Sequence, residues 1–124
     1  TNKAKIVKIK VGNKFYAIKT RIDGYTFDSL DEAQRYKELC LMVKSKDFCN
    51  LRVHPRMDFR LNGEKIFSYT PDFTYTDART KKEIIEDVKG VITPVFALKK
   101  KIIEVLRPEV RITIVRMKRR TRRQ

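Results

Sequence analysis

Along the first quarter of the chain apolar and charged positions take turns. Val7, Ile9 and Val11 are interleaved with Lys8 and Lys10, the period-two signature of a half-exposed strand. Gly12-Asn13 turns the chain, residues 15–21 bring it back, and Asp23-Gly24 is a second turn signal, so a β-hairpin with a third short strand is expected. The period then changes. Ser29-Leu30-Asp31-Glu32 is a capping box, and Ala33, Tyr36, Cys40 and Val43 recur at helical spacing as far as Lys44, with Leu39 widening the stripe. After a polar break over residues 45–50, Leu51 and Val53 begin a strand, and Met57, Phe59 and Leu61 alternate with Asp58 and Arg60. Asn62-Gly63 is the strongest hairpin turn present; residues 66–75 return as a strand whose Pro71 puts it at a sheet edge or on a bulge. A turn over residues 76–80 leads into the most strand-like run, residues 83–89. Thr93-Pro94 opens a second helix, Thr as cap and Pro in the first turn, with Val95, Leu98, Ile102, Val105 and Leu106 as its apolar stripe. Pro108 ends it, and Val110, Ile112 and Ile114 alternate as a last strand.

With the hairpin set aside, this order is α-β-β-β-α-β, an α/β fold with a mixed sheet flanked by two helices. A chain of 124 residues is one domain. Residues 1–24 form a hairpin extension, 25–115 the core and 116–124 a basic tail.

Charge narrows the class of partner. Thirty Lys and Arg against fifteen Asp and Glu give a net charge of +15 and a pI near 10.1, so a polyanion is the expected counterpart. Nucleic acid comes first and an anionic membrane surface second. No basic amphipathic helix with a strong apolar face stands out, and no apolar run nears the roughly 20 residues of a membrane span. Cys40 and Cys49 form no CxxC pair, and His54 is the sole histidine. A zinc finger, a disulfide framework and a His-metal-His centre are all disfavoured, and both cysteines read as reduced core thiols of an intracellular protein.

Chemistry gathers on the strand at residues 83–89. Side chains two apart share a face, so Asp87 and Lys89 point the same way beside Ile85, while Glu86 faces the other side as a solvated or partner-facing acid. Asp72 lies across the turn. If the two strands pair about residues 78 and 79, Asp72 comes within a few residues of Asp87 and Lys89. Two acids beside a lysine suit a hard divalent cation, Mg²⁺ or Mn²⁺, and phosphodiester hydrolysis needs such a group to activate water and take up phosphate charge. Glu32 is the candidate third acid, although its place in the capping box gives it a competing role. Lys99 and Lys101 are candidates for phosphate contact near the site, and Arg116, Lys118, Arg119 and Arg120 for backbone contacts without sequence readout. His54 reads as a strand-entry residue.

Pro71-Asp72 followed by Asp87-Val88-Lys89 resembles the PD-(D/E)xK nuclease superfamily. More closely, Phe27-Asp28-Ser29 with Glu32-Ala33 and Arg35-Tyr36, then Pro55-Arg56, Pro71-Asp72-Phe73 and Glu86-Asp87-Val88-Lys89-Gly90 look like a family of small phage-encoded proteins allied to archaeal-type Holliday junction resolvases. The resemblance implies a restriction-endonuclease-like core. It implies Asp72 and Asp87 as metal ligands, Lys89 as the catalytic lysine and Glu32 as the helical acid. It also implies a homodimer making paired cuts in branched or four-way DNA, in the cytoplasm of a bacterial host if phage-encoded. His54 departs from that family, which usually carries Gln there. Two rivals stand beside this expectation: a nuclease of the same fold acting on linear duplex ends or flaps, and a non-catalytic basic DNA-binding protein.

Overall fold

The computed structural model describes residues 9–10, 18–89 and 91–116. The Gly12-Asn13 turn, Gly90 and the basic residues Lys118, Arg119 and Arg120 lie outside the described residues. Strands β1 (Ile9–Lys10), β2 (Ile18–Ile22) and β3 (Tyr25–Phe27) form an antiparallel three-stranded sheet. Its second turn is fixed by local chemistry: Asp23 and Gly24 take φ of 53° and 83°, the paired left-handed geometry of a tight hairpin. Helix α1 (Leu30–Lys44) follows, capped by the Ser29 hydroxyl, which accepts the Glu32 N–H at 3.1 Å. Tyr36 of α1 donates its hydroxyl to Asp23 at 2.8 Å and so ties the small sheet to the helix.

Strand β4 (Phe48–Val53) begins three residues earlier than Leu51, so the polar break is shorter than expected. Phe48 supplies the apolar anchor, its ring 4.4 Å from that of Tyr75. The Asn62-Gly63 turn closes a hairpin of β5 (Met57–Leu61) and β6 (Glu64–Tyr69) as expected. The segment from Ile66 to Tyr75 is not one strand. It breaks around Pro71, which has no N–H to donate, and resumes as β7 (Phe73–Asp77). Nor is β7 an edge strand: the four-stranded sheet runs β4-β7-β8-β9, and β5-β6 is a separate ribbon. In that sheet β8 (Glu83–Val88) is antiparallel to β7 and parallel to β9 (Arg111–Val115), with α2 (Pro94–Leu106) making the crossover. Apart from the inserted ribbon, the core order is α-β-β-β-α-β.

Two apolar clusters cover the two faces of this sheet. Phe27, Ala33, Tyr36, Leu39, Phe73, Tyr75 and Ile84 pack under α1. Phe59, Tyr69, Ile85, Phe96, Ile103 and Val110 pack under α2 and the ribbon. The strand alternation of β8 therefore sends Ile84 and Glu86 toward α1, and Ile85 and Asp87 toward α2.

The buried side of α2 differs from the expected stripe. Phe96, Ile103 and, in part, Leu106 face the core, while Val95, Leu98 and Val105 are exposed. The aromatic ring of Phe96 has more area to bury than a valine, and it turns the helix about its axis. Both cysteines are free. Cys40 packs against the α1 cluster, but Cys49 is exposed rather than a core thiol. None of the described helices is long and apolar enough to cross a membrane.

Candidate active site

The strand register builds the site. Val53, Phe73 and Glu86 are neighbours across β4, β7 and β8. The next residue along each strand toward the same end of the sheet is His54, Asp72 and Asp87, which places these three in one transverse row. Backbone groups tie the row together. His54 N–H donates to the Asp72 carbonyl at 3.0 Å. Asp72 N–H donates to Asp87 Oδ1 at 3.0 Å, and Val88 N–H to Asp72 Oδ2 at 2.7 Å.

Both helices begin at this end of the sheet. The first turn of α1 carries Glu32, and the first turn of α2 carries Phe96, over whose ring the Lys89 ammonium sits at 4.6 Å from the centroid. Two helix N-termini add positive potential where an anion would bind.

His54 adopts φ of 51°, a left-handed backbone that costs a non-glycine residue about 1–2 kcal/mol. That geometry takes its side chain out of the strand alternation and brings Nε2 to 2.6 Å from Glu32 Oε1. Ligand atoms of Glu32, His54 and Asp72 all lie within 4.8 Å of one another. So Glu32 does not use its carboxylate to complete the capping box. The Ser29 half of that box forms, and the Glu32 side chain faces His54 and Asp72 instead.

Burial pushes the Glu32 carboxyl up to about 7; the Asp72 charge adds to the rise and His54 opposes it. Burial also raises Asp72, against the Val88 N–H and the Lys89 ammonium. Exposed Asp28 adds its charge to both Glu32 and Asp72 and so belongs to the rim of the site. Carboxylates held together against their mutual repulsion are a donor set that a divalent cation suits, replacing protons as it binds.

Asp87 sits next to this group without joining it. It is 2% exposed, is raised by burial against Lys89 and the Asp72 N–H, and accepts the Tyr69 hydroxyl on the α2 side of the sheet. Glu86, expected to be solvated, is instead fully buried. Arg35 Nε and Nη2 grip its two oxygens at 2.8 and 2.9 Å, and the Tyr75 hydroxyl donates to it at 2.7 Å. The bonds to Glu86 hold the Arg35 guanidinium more firmly protonated, and burial, with the bond to Glu86 adding to it, pushes the Tyr75 hydroxyl up. The pair is a strut between α1 and β8.

Of the expected phosphate-contacting residues, Lys99 holds its ammonium over Phe67 at 5.5 Å. Lys101 is exposed on the outward face of α2 with Leu98, away from the sheet, and Arg116 is exposed after β9. His54 is the site residue that pattern reading passed over. Its one visible signal was being the only histidine, standing where the resembled family usually has Gln.

Neither the curated proteins nor the solved structures contain a match to this chain. Residues 12–122 match the family described as "Protein of unknown function (DUF1064)", and with nearly the whole length covered the chain belongs to that family.

Proposed function

We propose that this protein is a metal-dependent DNA endonuclease of the PD-(D/E)xK type. The observation that carries the reading is the convergence of Glu32 and Asp72 within ligand distance of each other, with Lys89 close enough to stabilise the charge of Asp72 and Asp87. The α-β-β-β-α-β order of the core supports a restriction-endonuclease-like arrangement. A divalent cation, Mg²⁺ or Mn²⁺, would supply Lewis acidity, lowering the pKa of a bound water and taking up charge on the phosphate oxygens.

The chain's own groups do the rest. Glu32 and Asp72 would hold the cation; the Val88 N–H fixes the Asp72 carboxylate, and Asp87 holds the Asp72 backbone N–H. Lys89, steadied by the Phe96 ring, hydrogen-bonds a phosphate oxygen as charge grows on it. The helix N-termini favour the same anion. Arg116 and the tail residues Lys118, Arg119 and Arg120 grip the DNA backbone nonspecifically.

A branched or four-way junction is the proposed substrate, cut in pairs by a homodimer. Paired incision of a two-fold substrate needs two sites, and α2 offers a surface for self-association. Val95, Leu98 and Val105 are 62–74% exposed on this helix at spacings of three and seven residues, which puts them on one apolar face.

The test is cleavage of an end-labelled four-way junction beside its linear arms, in Mg²⁺, in Mn²⁺ and in EDTA. Paired, metal-dependent cuts in the junction alone are expected. Equal cutting of the arms would replace the junction with linear duplex as substrate, and tight binding without cutting in either metal would leave a DNA-binding protein and contradict the proposal.

A further inference from the structure

We infer that His54 is a metal ligand, completing with Glu32 and Asp72 a three-residue site for a first-row transition ion of the Mn²⁺ type, and that Asp87 stands outside the ligand set. The inference rests on the reading that this row of residues holds a cation. It changes which residues do so, and with them the class of metal.

Three observations support it. The first is access. The His54 side chain is 34% exposed and touches the Glu32 carboxylate, which is 7% exposed, so the imidazole is the part of this pair that solvent reaches. The second is orientation. The fully buried ring of Phe27 lies 5.7 Å from the imidazole, whose Nε2 meets Glu32 Oε1 at 2.6 Å. The third is convergence. Donor atoms of Glu32, His54 and Asp72 all lie within 4.8 Å of one another although they come from α1, the end of β4 and the start of β7.

Asp87 has none of these properties. It is 2% exposed, its oxygens meet the Tyr69 hydroxyl and the Asp72 N–H, and Tyr69 packs with Phe96 and Ile85 on the far side of the sheet. Both of its oxygens are engaged there, and it lies outside the group of ligand atoms that Glu32, His54 and Asp72 bring within 4.8 Å of one another. As placed, Asp87 fixes the backbone of Asp72 and acts as a positioning residue.

The donor chemistry selects the ion. Mg²⁺ takes oxygen ligands and gives up its water reluctantly, whereas affinity for a nitrogen donor rises along the first row from Mn²⁺ onward, and Mn²⁺, which also suits carboxylates and water, accepts one imidazole among oxygens more readily than Mg²⁺ does. Two carboxylates and one imidazole leave coordination positions for water and a phosphate oxygen.

The experiment is direct binding of Mn²⁺ and Mg²⁺ to the full chain by calorimetry, with pulsed electron paramagnetic resonance of the bound Mn²⁺. Wild type, His54→Ala, His54→Gln and Asp87→Asn are compared, each checked for an intact fold by circular dichroism. Gln fills the space and can still donate to Glu32, but has no imidazole nitrogen. Mn²⁺ should bind at least about tenfold more tightly than Mg²⁺. Wild type and Asp87→Asn should both show nitrogen coupling to the ion. Both His54 variants should lose that coupling and weaken Mn²⁺ by roughly tenfold or more. No nitrogen coupling in wild type, or no Mn²⁺ binding, would overturn the inference, as would loss of the ion in Asp87→Asn with His54→Gln unaffected. Nitrogen-coupled Mn²⁺ on a protein that cuts no DNA would sink the nuclease and leave this site standing. DNA cutting with Mn²⁺ bound through oxygen alone would do the reverse.

Discussion

Glu32 occupies two environments at once. Its backbone N–H is part of a helix cap, and its carboxyl is buried against Asp72 and held near neutrality with a pKa of about 7, against 4.5 when solvated. Between those two values the metal-free folded protein keeps a proton that the unfolded chain has released. The stabilising contribution is therefore complete below pH 4.5 and is lost as pH rises through about 7. Asp72 and Asp87, also raised by burial, act in the same direction. In EDTA, urea denaturation should show stability falling by on the order of 2–3 kcal/mol across this window. Glu32→Gln cannot titrate and should flatten much of the fall; parallel curves for the two proteins would contradict this account of the site. Other residues at this scale were unreadable for a shared reason. The partner of Glu86 is Arg35, 51 positions away, and that of His54 is Glu32, 22 positions away. Period-two alternation sorted Glu86 from Asp87 by face but could not say that the Glu86 face was buried. Nothing in a Val-His-Pro stretch announces a positive φ.

At the scale of elements, the Arg35–Glu86–Tyr75 strut sets how α1 lies on β8, and through it where Glu32 meets Asp72. Both charged groups are gripped by direct hydrogen bonds, and Glu86 has no solvent to fall back on. Arg35→Ala should then lower unfolding free energy by about 3–5 kcal/mol, the usual effect of stranding a buried charge. A loss below about 1 kcal/mol in a denaturant titration would reduce the strut to a surface ion pair. Elements whose ends are specified by neighbours in sequence were legible: the Ser29 and Thr93 caps, the Asp23-Gly24 and Asn62-Gly63 turns, and the pairing that sets Asp72 opposite Asp87. Elements decided by what packs against them were not. On α2 a valine-leucine stripe and a Phe96–Ile103 stripe both fit the helical period, and only the neighbouring β5–β6 ribbon and β9 select the second. The break at Pro71 likewise depends on β6 and β7 belonging to different sheets.

For the whole molecule, the sheet order β4-β7-β8-β9 gathers the candidate residues at one end, beneath two helix N-termini, on a chain of net charge +15. The strand sequence, the Asn62-Gly63 hairpin and the excess charge were apparent from pattern and composition; that the β5-β6 hairpin stands apart from the main sheet was not. If each protomer neutralises about 6 phosphates, log K for DNA should fall with log salt at a slope of roughly −5. A slope near zero in fluorescence anisotropy would remove backbone contact from the account. The exposed α2 face should make the protein a dimer in light scattering. Leu98→Glu with Val105→Glu should yield a folded monomer, because neither side chain is part of the core. A monomeric wild type, or a double variant that stays dimeric, would rule out that face. Whether the acids at the end of β8 hydrolyse phosphodiesters is decided by single-turnover cleavage of a four-way junction by Asp72→Asn. Asn keeps the shape and an oxygen for the Val88 N–H but removes the charge. DNA should still bind, with cleavage slower by about a thousandfold or more; cleavage at the wild-type rate would rule out a hydrolytic role for Asp72.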